Sequence, residues 1–124
     1  MREIYTAGGD RIIVFDRLAT GMAQAKRIIE NPESGGFNQL AVDTTNDEIF
    51  VADNGDRGID PPILGAVIVY DRLADGEAPP KRFIQDAGVS GVNHPRSLWV
   101  DPVRDEIGVT DTKLNNIRVF PRVW

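Results

Sequence analysis

The sequence predicts an all-β fold made of repeated antiparallel strands, and three observations support this. Residues 11–30 and 66–85 align without a gap, and eleven of the twenty positions are identical. A second stretch, at residues 40–53, recurs at residues 98–111. No segment shows a 3.6-residue apolar period bounded by helix caps. Because the two different stretches alternate along the chain, we expect one supersecondary unit to be repeated.

Composition bounds the class of protein. The chain has 124 residues, which suits one domain, and 41% of them are hydrophobic, as in ordinary globular proteins. Nineteen acidic residues against fourteen basic ones give a net charge of −5, so there is no basic field for a nucleic acid. The absence of cysteine excludes disulfides and thiolate chemistry but leaves the redox compartment open.

No targeting or membrane segment is evident in this sequence. No apolar run reaches the ~20 residues that a membrane-spanning helix requires. The first residues pass directly into a strand-like pattern, without the charged and apolar regions of a signal peptide.

The repeated stretches have the properties of strands and turns. Residues 12–15 and 67–70 are β-branched and aromatic runs without alternation, which favours strands buried on both faces. Residues 44–47 and 102–105 are polar turns, so each longer stretch is predicted to be a hairpin. Residues 19–28 are expected to form a loop rather than a short helix. In the middle unit we predict four strands, at residues 39–43, 48–53, 66–71 and 81–85.

Four short strands in about fifty residues are typical of a β-propeller blade. The chain then holds a partial blade at 1–30, a full blade at 38–85 and a partial blade at 96–122, with three, four and three strands. A ring needs about four to eight blades, so this ring of ten strands is incomplete. Either the chain assembles with copies of itself, two copies supplying six units, or it belongs to a longer chain. The missing innermost strand of the first unit favours the longer chain.

The repeats resemble bacterial propellers of the NHL and YVTN type. The resemblance rests on the patterns I-x-V-F-x-R-x-A-x-G-x-x-x-P-x-R-x-I and D-E-I-x-V-A-D, with a strand ending in Val-Asp between them. It implies a binding scaffold, often of six or seven blades, and a periplasmic or extracellular location. The related gluconolactonase-like group is enzymatic and metal-dependent.

The loop after the second strand is the main candidate for a binding site. It has three residues in the first unit, 8–10, and eleven in the middle unit, 54–64. In a propeller it would lie beside residues 31–37 and 86–94, and long loops on a rigid scaffold often carry binding residues. A tolerated surface insertion is the alternative. The candidate ligand- or partner-binding residues are Asp53, Asn54, Asp56, Arg57, Asp60, His94, Arg96 and Trp99.

Calcium is the only cofactor that the sequence suggests, and the expectation is that none is bound. Asp10, Asp53 and Asp111 occupy equivalent strand exits, and clustered carboxylates can bind Ca²⁺. The spacing differs from the EF-hand loop, and aspartate is also common in turns because it caps backbone amides.

No catalytic residue is predicted. His94 is the only histidine, and no serine has a nucleophile motif around it. Asp16-Arg17 and Asp71-Arg72 repeat with their units, so we interpret them as turn and inter-sheet contacts. Trp99 replaces Ala41 of the middle unit and either fills a gap between sheets or stands in the channel as a stacking surface.

The sequence therefore favours a non-enzymatic propeller module that binds a protein or a small molecule, as a homo-oligomer or within a longer chain. One alternative is a calcium-dependent hydrolase or lactonase of the gluconolactonase-like type. Another is a structural element that pairs with its neighbours in a larger assembly.

Overall fold

The computed structural model describes residues 2–55, 64–85 and 92–123, which form ten β-strands in three antiparallel sheets. The N-terminal sheet contains β1 (Glu3–Gly8), β2 (Arg11–Asp16) and β3 (Arg27–Glu30). The central sheet contains β4 (Phe37–Asp43), β5 (Glu48–Asp53), β6 (Ala66–Asp71) and β7 (Arg82–Gln85). The C-terminal sheet contains β8 (Pro95–Asp101), β9 (Glu106–Asp111) and β10 (Asn116–Pro121). In each sheet the strands are adjacent in chain order, and no sheet is closed.

The predicted all-β class is confirmed, as is the distribution of three, four and three strands. β5 and β6 have the predicted bounds, whereas β4 begins two residues early, at Phe37, and β7 one residue late, at Arg82. β4 is longer because Phe37 pairs with Asp53 beyond an irregularity in the register near Asn38. The segment before β3 is a loop up to residue 26, as expected.

Aspartate side chains close the hairpin turns of the central and C-terminal sheets. The Oδ1 atom of Asp43 accepts hydrogen bonds from the backbone N–H of Thr45 (2.9 Å) and Asn46 (3.1 Å). Asp101 caps the equivalent turn of the C-terminal sheet in the same way. Asp47 and Asp105 end these turns with positive φ angles of 55° and 58°, a conformation that aspartate tolerates better than most residues. The polar turn sequences therefore produce tight hairpins by local hydrogen bonding.

The three sheets stack face to face, and the central sheet is buried on both faces. All six residues of β5 are buried. Ile49 and Val51 pack with the N-terminal sheet, while Phe50 and Ala52 pack with the C-terminal sheet. The lack of alternation in these strands follows from this packing, because successive side chains enter two different cores.

Each terminal sheet buries one face and exposes the other. β1 alternates between half-buried and exposed side chains, and Ile4 lies on the exposed face. The outer face of the C-terminal sheet carries Trp99, which is 45% exposed, and Ile117 and Val119. Trp99 lies across Gly108, its register partner on β9. Within the described residues the Trp99 ring covers its own sheet, on a face that no other sheet packs against, so both interpretations of Trp99 stay predictions.

A backbone clasp joins the central sheet to the edge of the N-terminal sheet. The Gly76 N–H donates to Ile28 O (2.6 Å), and its carbonyl accepts from the Glu30 N–H (2.8 Å). The Asp75 Oδ1 atom accepts from the Ile28 N–H at 3.0 Å. Gly76 has a φ of 68°, which glycine adopts without strain. The clasp therefore extends the pairing of β3 across the boundary between two sheets.

Candidate functional site

The predicted binding loop leaves β5 beside the connection between β3 and β4. The Asn54 N–H donates to Gly36 O at 2.9 Å, and the Gly35 N–H donates to the Asp53 Oδ1 atom at 3.2 Å. The Asn38 side-chain amide also donates to the Asn54 Oδ1 atom. Asp53 and Asn54 thus lie next to residues 31–37, as the sequence predicted. The candidates Asp56, Arg57 and Asp60 lie outside the described residues.

A cleft of about 560 Å³ opens between the N-terminal and central sheets beside this loop. Carboxylates, aromatic side chains and three prolines line it, and no lysine or arginine of the described residues is among its lining. The main side chains around the cleft are Glu30, Glu33, Glu77, Tyr70, Phe83 and Pro79. Of this lining, the sequence analysis named Asp53 as a candidate residue and included Leu64 in the candidate loop. The other lining residues come from separate segments.

Two buried polar groups form the base of the cleft. Tyr70 is fully buried, and its hydroxyl accepts a hydrogen bond from the Asn31 side-chain amide at 3.1 Å. Burial raises the pKa of Tyr70 above its ordinary value. Burial also raises the pKa of Asp53, and backbone donors such as the Gly55 N–H at 2.8 Å offset this only in part. The base of the cleft therefore favours neutral groups over further negative charge.

The rim of the cleft is acidic. Glu30 forms an ion pair with Arg11 at 3.3 Å. Glu33 and Glu77 are exposed, and neither contacts a cationic side chain in the described part of the chain. Two carboxylates at the rim are thus free to bind a positively charged group.

The remaining binding candidates lie elsewhere. His94, at the start of the C-terminal sheet, is half-buried and uses its backbone, donating to Asp111 at 3.1 Å and accepting from Thr112. Arg96 is exposed and lies where the β8 register shifts. Trp99 is on the outer face of the C-terminal sheet. These three residues do not line the cleft.

The three calcium candidates belong to separate turns. Asp10 is exposed and lies 3.9 Å from the Arg11 guanidinium. Burial would raise the pKa of Asp111, but backbone donors at Asn93 (2.7 Å), Lys113 and Leu114 hold it below its ordinary value. Across residues 2–55, 64–85 and 92–123 no three Asp, Glu or His side chains group as metal ligands.

A repeated ion-pair cluster was only partly foreseen from the sequence. The Glu48 side chain is 4% exposed, and its carboxylate binds Lys81 (2.9 Å) and Arg82 (2.6 Å) from its own sheet. It also binds Arg122 of the C-terminal sheet at 3.1 Å. Burial alone would raise the pKa of Glu48, but Arg82 and Lys81 bring it down to about 2.

Glu3 forms an equivalent cluster between the N-terminal and central sheets. It binds Lys26 (2.8 Å) and Arg27 (3.0 Å) of its own sheet and Arg72 of the central sheet (3.3 Å). Hydrogen bonds from Arg27 and Lys26 hold the pKa of Glu3 far below its ordinary value. The interpretation of Arg72 as an inter-sheet contact is confirmed, and Asp71 caps its own turn through the Leu73 N–H at 2.8 Å. The sequence could have indicated both clusters, because a glutamate and a Lys-Arg pair recur at equivalent positions of the first two units.

Comparison with known proteins found no family model and no curated protein that matches this chain. In the described residues there is also no helix with the length and apolar character needed to cross a membrane.

Proposed function

We propose that the three sheets are blades of an incomplete β-propeller, and that the chain is a non-enzymatic scaffold that binds a cationic ligand. The blade interpretation is supported by the alternating sequence repeats, by the antiparallel order of strands in each sheet and by the stacking of the sheets through two apolar cores.

The acidic cleft between the N-terminal and central sheets carries the binding proposal. Its volume of about 560 Å³ lies within the range of small-molecule and peptide side-chain sites. Glu33 and Glu77 supply negative charge at the rim, while Phe83, which is 54% exposed, supplies aromatic surface. This combination suits a ligand that joins a positive group to an apolar portion, such as an arginine-containing peptide.

The calcium-dependent hydrolase receives no support from the acidic residues. Asp53 and Asp111 accept backbone hydrogen bonds within their own turns, which explains their positions without a metal. The structural-element alternative is favoured by the exposed apolar faces of the terminal sheets.

Titration with hexa-arginine, followed by two-dimensional amide NMR, tests the cleft. We expect the resonances of residues 30–33 and 77–85 to shift, and hexa-glutamate to have no effect. Glu77→Gln removes one rim charge and should weaken binding several-fold, because an exposed charge contact contributes about 0.2–1 kcal/mol. Asp10→Asn is the matched control, since it removes one charge outside the cleft and should leave the affinity unchanged. Shifts spread over the surface, or equal losses in both variants, would show that the cleft is not the site.

A further inference from the structure

Each boundary between sheets is bridged by one glutamate and one arginine at equivalent positions. Arg72, which follows β6, binds Glu3 at the start of β1 (3.3 Å), and Arg122, which follows β10, binds Glu48 at the start of β5 (3.1 Å). The arginine always comes from the next sheet along the chain. The contact is therefore a repeated feature of the way in which the sheets stack.

Two residues at equivalent positions do not make this contact among the described residues. One is a glutamate in the C-terminal sheet and the other is an arginine in the N-terminal sheet. Glu106 starts β9 as Glu48 starts β5, and Arg17 follows β2 as Arg72 follows β6. The described residues form no ion pair with Glu106 or with Arg17, although the charge of Glu106 acts on Arg104 at longer range.

Arg17 also lacks the second carboxylate that its counterparts bind. Arg72 contacts Asp47 at 2.8 Å, and Arg122 contacts Asp105 at 2.5 Å, each within its own sheet. The residue equivalent to Asp47 in the N-terminal sheet is Arg2, a cation. Among the described residues, the exposed guanidinium of Arg17 therefore has no carboxylate partner, whereas each of its two counterparts has two.

The outer faces of the terminal sheets are apolar and exposed. On the C-terminal sheet, Ile117 is 67% and Val119 is 58% exposed, whereas their counterparts in the central sheet, Val67 and Val69, are fully buried. The row formed by Trp99, Gly108 and Val119 crosses all three strands of this face.

The outer face of the N-terminal sheet is the complementary surface. Ile4 pairs with Phe15 across β1 and β2, and Ile4 is 40% exposed. Their counterparts in the central sheet, Ile49 and Tyr70, are buried against the preceding sheet. Both outer faces thus have the residue types that are buried where two sheets meet inside the chain.

We infer that the outer face of the C-terminal sheet docks onto the outer face of the N-terminal sheet of a second copy of this chain, with Arg17 of one copy bound to Glu106 of the other. The contact between copies would repeat the contact between neighbouring sheets of one chain. The glutamate–arginine pair and the apolar side chains would occupy equivalent positions. The number of copies rests on the proposed propeller function: two copies supply six sheets, within the range of about four to eight that closes a ring.

Sedimentation equilibrium over a wide concentration range tests the contact. We expect a discrete species of twice the 13.7 kDa chain. Glu106→Arg and Arg17→Glu should each raise the dissociation constant at least about ten-fold, because each places like charges together. The double variant, or an equimolar mixture of the two single variants, should restore association, since every contact then joins opposite charges. Asp10→Arg makes the same charge change as Glu106→Arg, at an exposed turn position outside the cleft, and should leave association unchanged.

Tryptophan emission gives an independent readout. In a Trp124→Phe background Trp99 is the only tryptophan. Its emission should shift to longer wavelength on dilution, as the ring becomes exposed on dissociation.

A strictly monomeric chain, or association that the charge swap does not restore, would overturn the inference, while the hexa-arginine titration of the cleft would still stand on its own. An open series of oligomers that both single variants abolish would support the contact and contradict the closed propeller ring.

Discussion

Glu48 is one of two glutamates whose side chains bridge a boundary between sheets. Its buried carboxylate is neutralised by cations from two sheets, and Arg82 also lies 5.7 Å from the centre of the Phe50 ring. A buried carboxylate is costly to remove from water unless it is paired, and removal of a partner leaves an uncompensated charge. When Glu48 is ionised, its ion pair with Arg122 therefore holds the C-terminal sheet against the central sheet.

The pKa of Glu48 predicts a dependence of stability on pH. Its folded-state pKa of about 2 lies below the ordinary value of 4.5, so its contribution to the free energy of unfolding is complete above pH 4.5. That contribution, on the order of 3 kcal/mol, is lost as the pH falls from about 4.5 to about 2. Glu48→Gln should therefore lower stability at pH 7 and flatten this part of the profile in urea unfolding.

Glu77→Gln is the control for this measurement, because Glu77 is exposed and without an ion pair in the described residues. Its profile should match that of the wild-type protein. If Glu48→Gln had the same acid slope as the wild type, the cluster would not be the source of the effect.

At the scale of elements, the hairpins β4–β5 and β8–β9 place a large and a small side chain at the same register position, but on opposite strands. Ala41 faces Phe50 across β4 and β5, whereas Trp99 faces Gly108 at the same register of β8 and β9. The large ring is on the second strand in one hairpin and on the first strand in the other. A pair of small and large residues therefore covers this position in both sheets.

The exchange predicts that Gly108→Ala displaces Trp99. A Cβ atom at Gly108 would lie 1.8 Å from the Trp99 Cζ2 atom, so the ring must move into water. We expect a loss of about 1 kcal/mol in urea unfolding and a shift of tryptophan emission to longer wavelength in a Trp124→Phe background.

The double variant Trp99→Ala/Gly108→Phe recreates the arrangement of Ala41 and Phe50 and should recover most of the loss that Trp99→Ala causes alone. An unchanged emission spectrum in Gly108→Ala would mean that the ring does not rest on the glycine.

At the scale of the whole molecule, burial is uneven along the stack. The central sheet contributes to both apolar cores, and each terminal sheet contributes to one. Local opening of a terminal sheet exposes a single core, whereas opening of the central sheet exposes both. The central sheet should therefore be the most stable part of the protein.

Native-state hydrogen exchange in dilute solution tests this order. The amides of β5 and β6 should exchange most slowly, since these strands are interior to the central sheet and buried on both faces. The amides of β10 should exchange much faster, because β10 is an edge strand with an exposed face. Equal protection across the three sheets would indicate that they unfold as one unit.

The candidate site was predictable only in part. Asp53 and Asn54 were foreseen beside residues 31–37 because a hairpin strand and the next connection end at one edge of the stack. His94, Arg96 and Trp99 were candidates because the start of this strand was expected near the channel of a propeller, yet none of the three lines the cleft. The cleft was missed, since Glu33, Tyr70 and Glu77 come from segments with no common pattern.

By itself, the sequence determined the number of strands, their order and six of the eight strand ends predicted for the central sheet, because β-branched runs, polar turns and repeats act over a few neighbouring residues. It also determined the turn-capping role of its aspartates, for the same reason. Only the tertiary structure decided that Glu48 meets Arg122, 74 residues away, and that Trp99 covers Gly108 on a face left open. These contacts depend on which faces of separate sheets come together, and that choice is made by packing between distant segments rather than by local pattern.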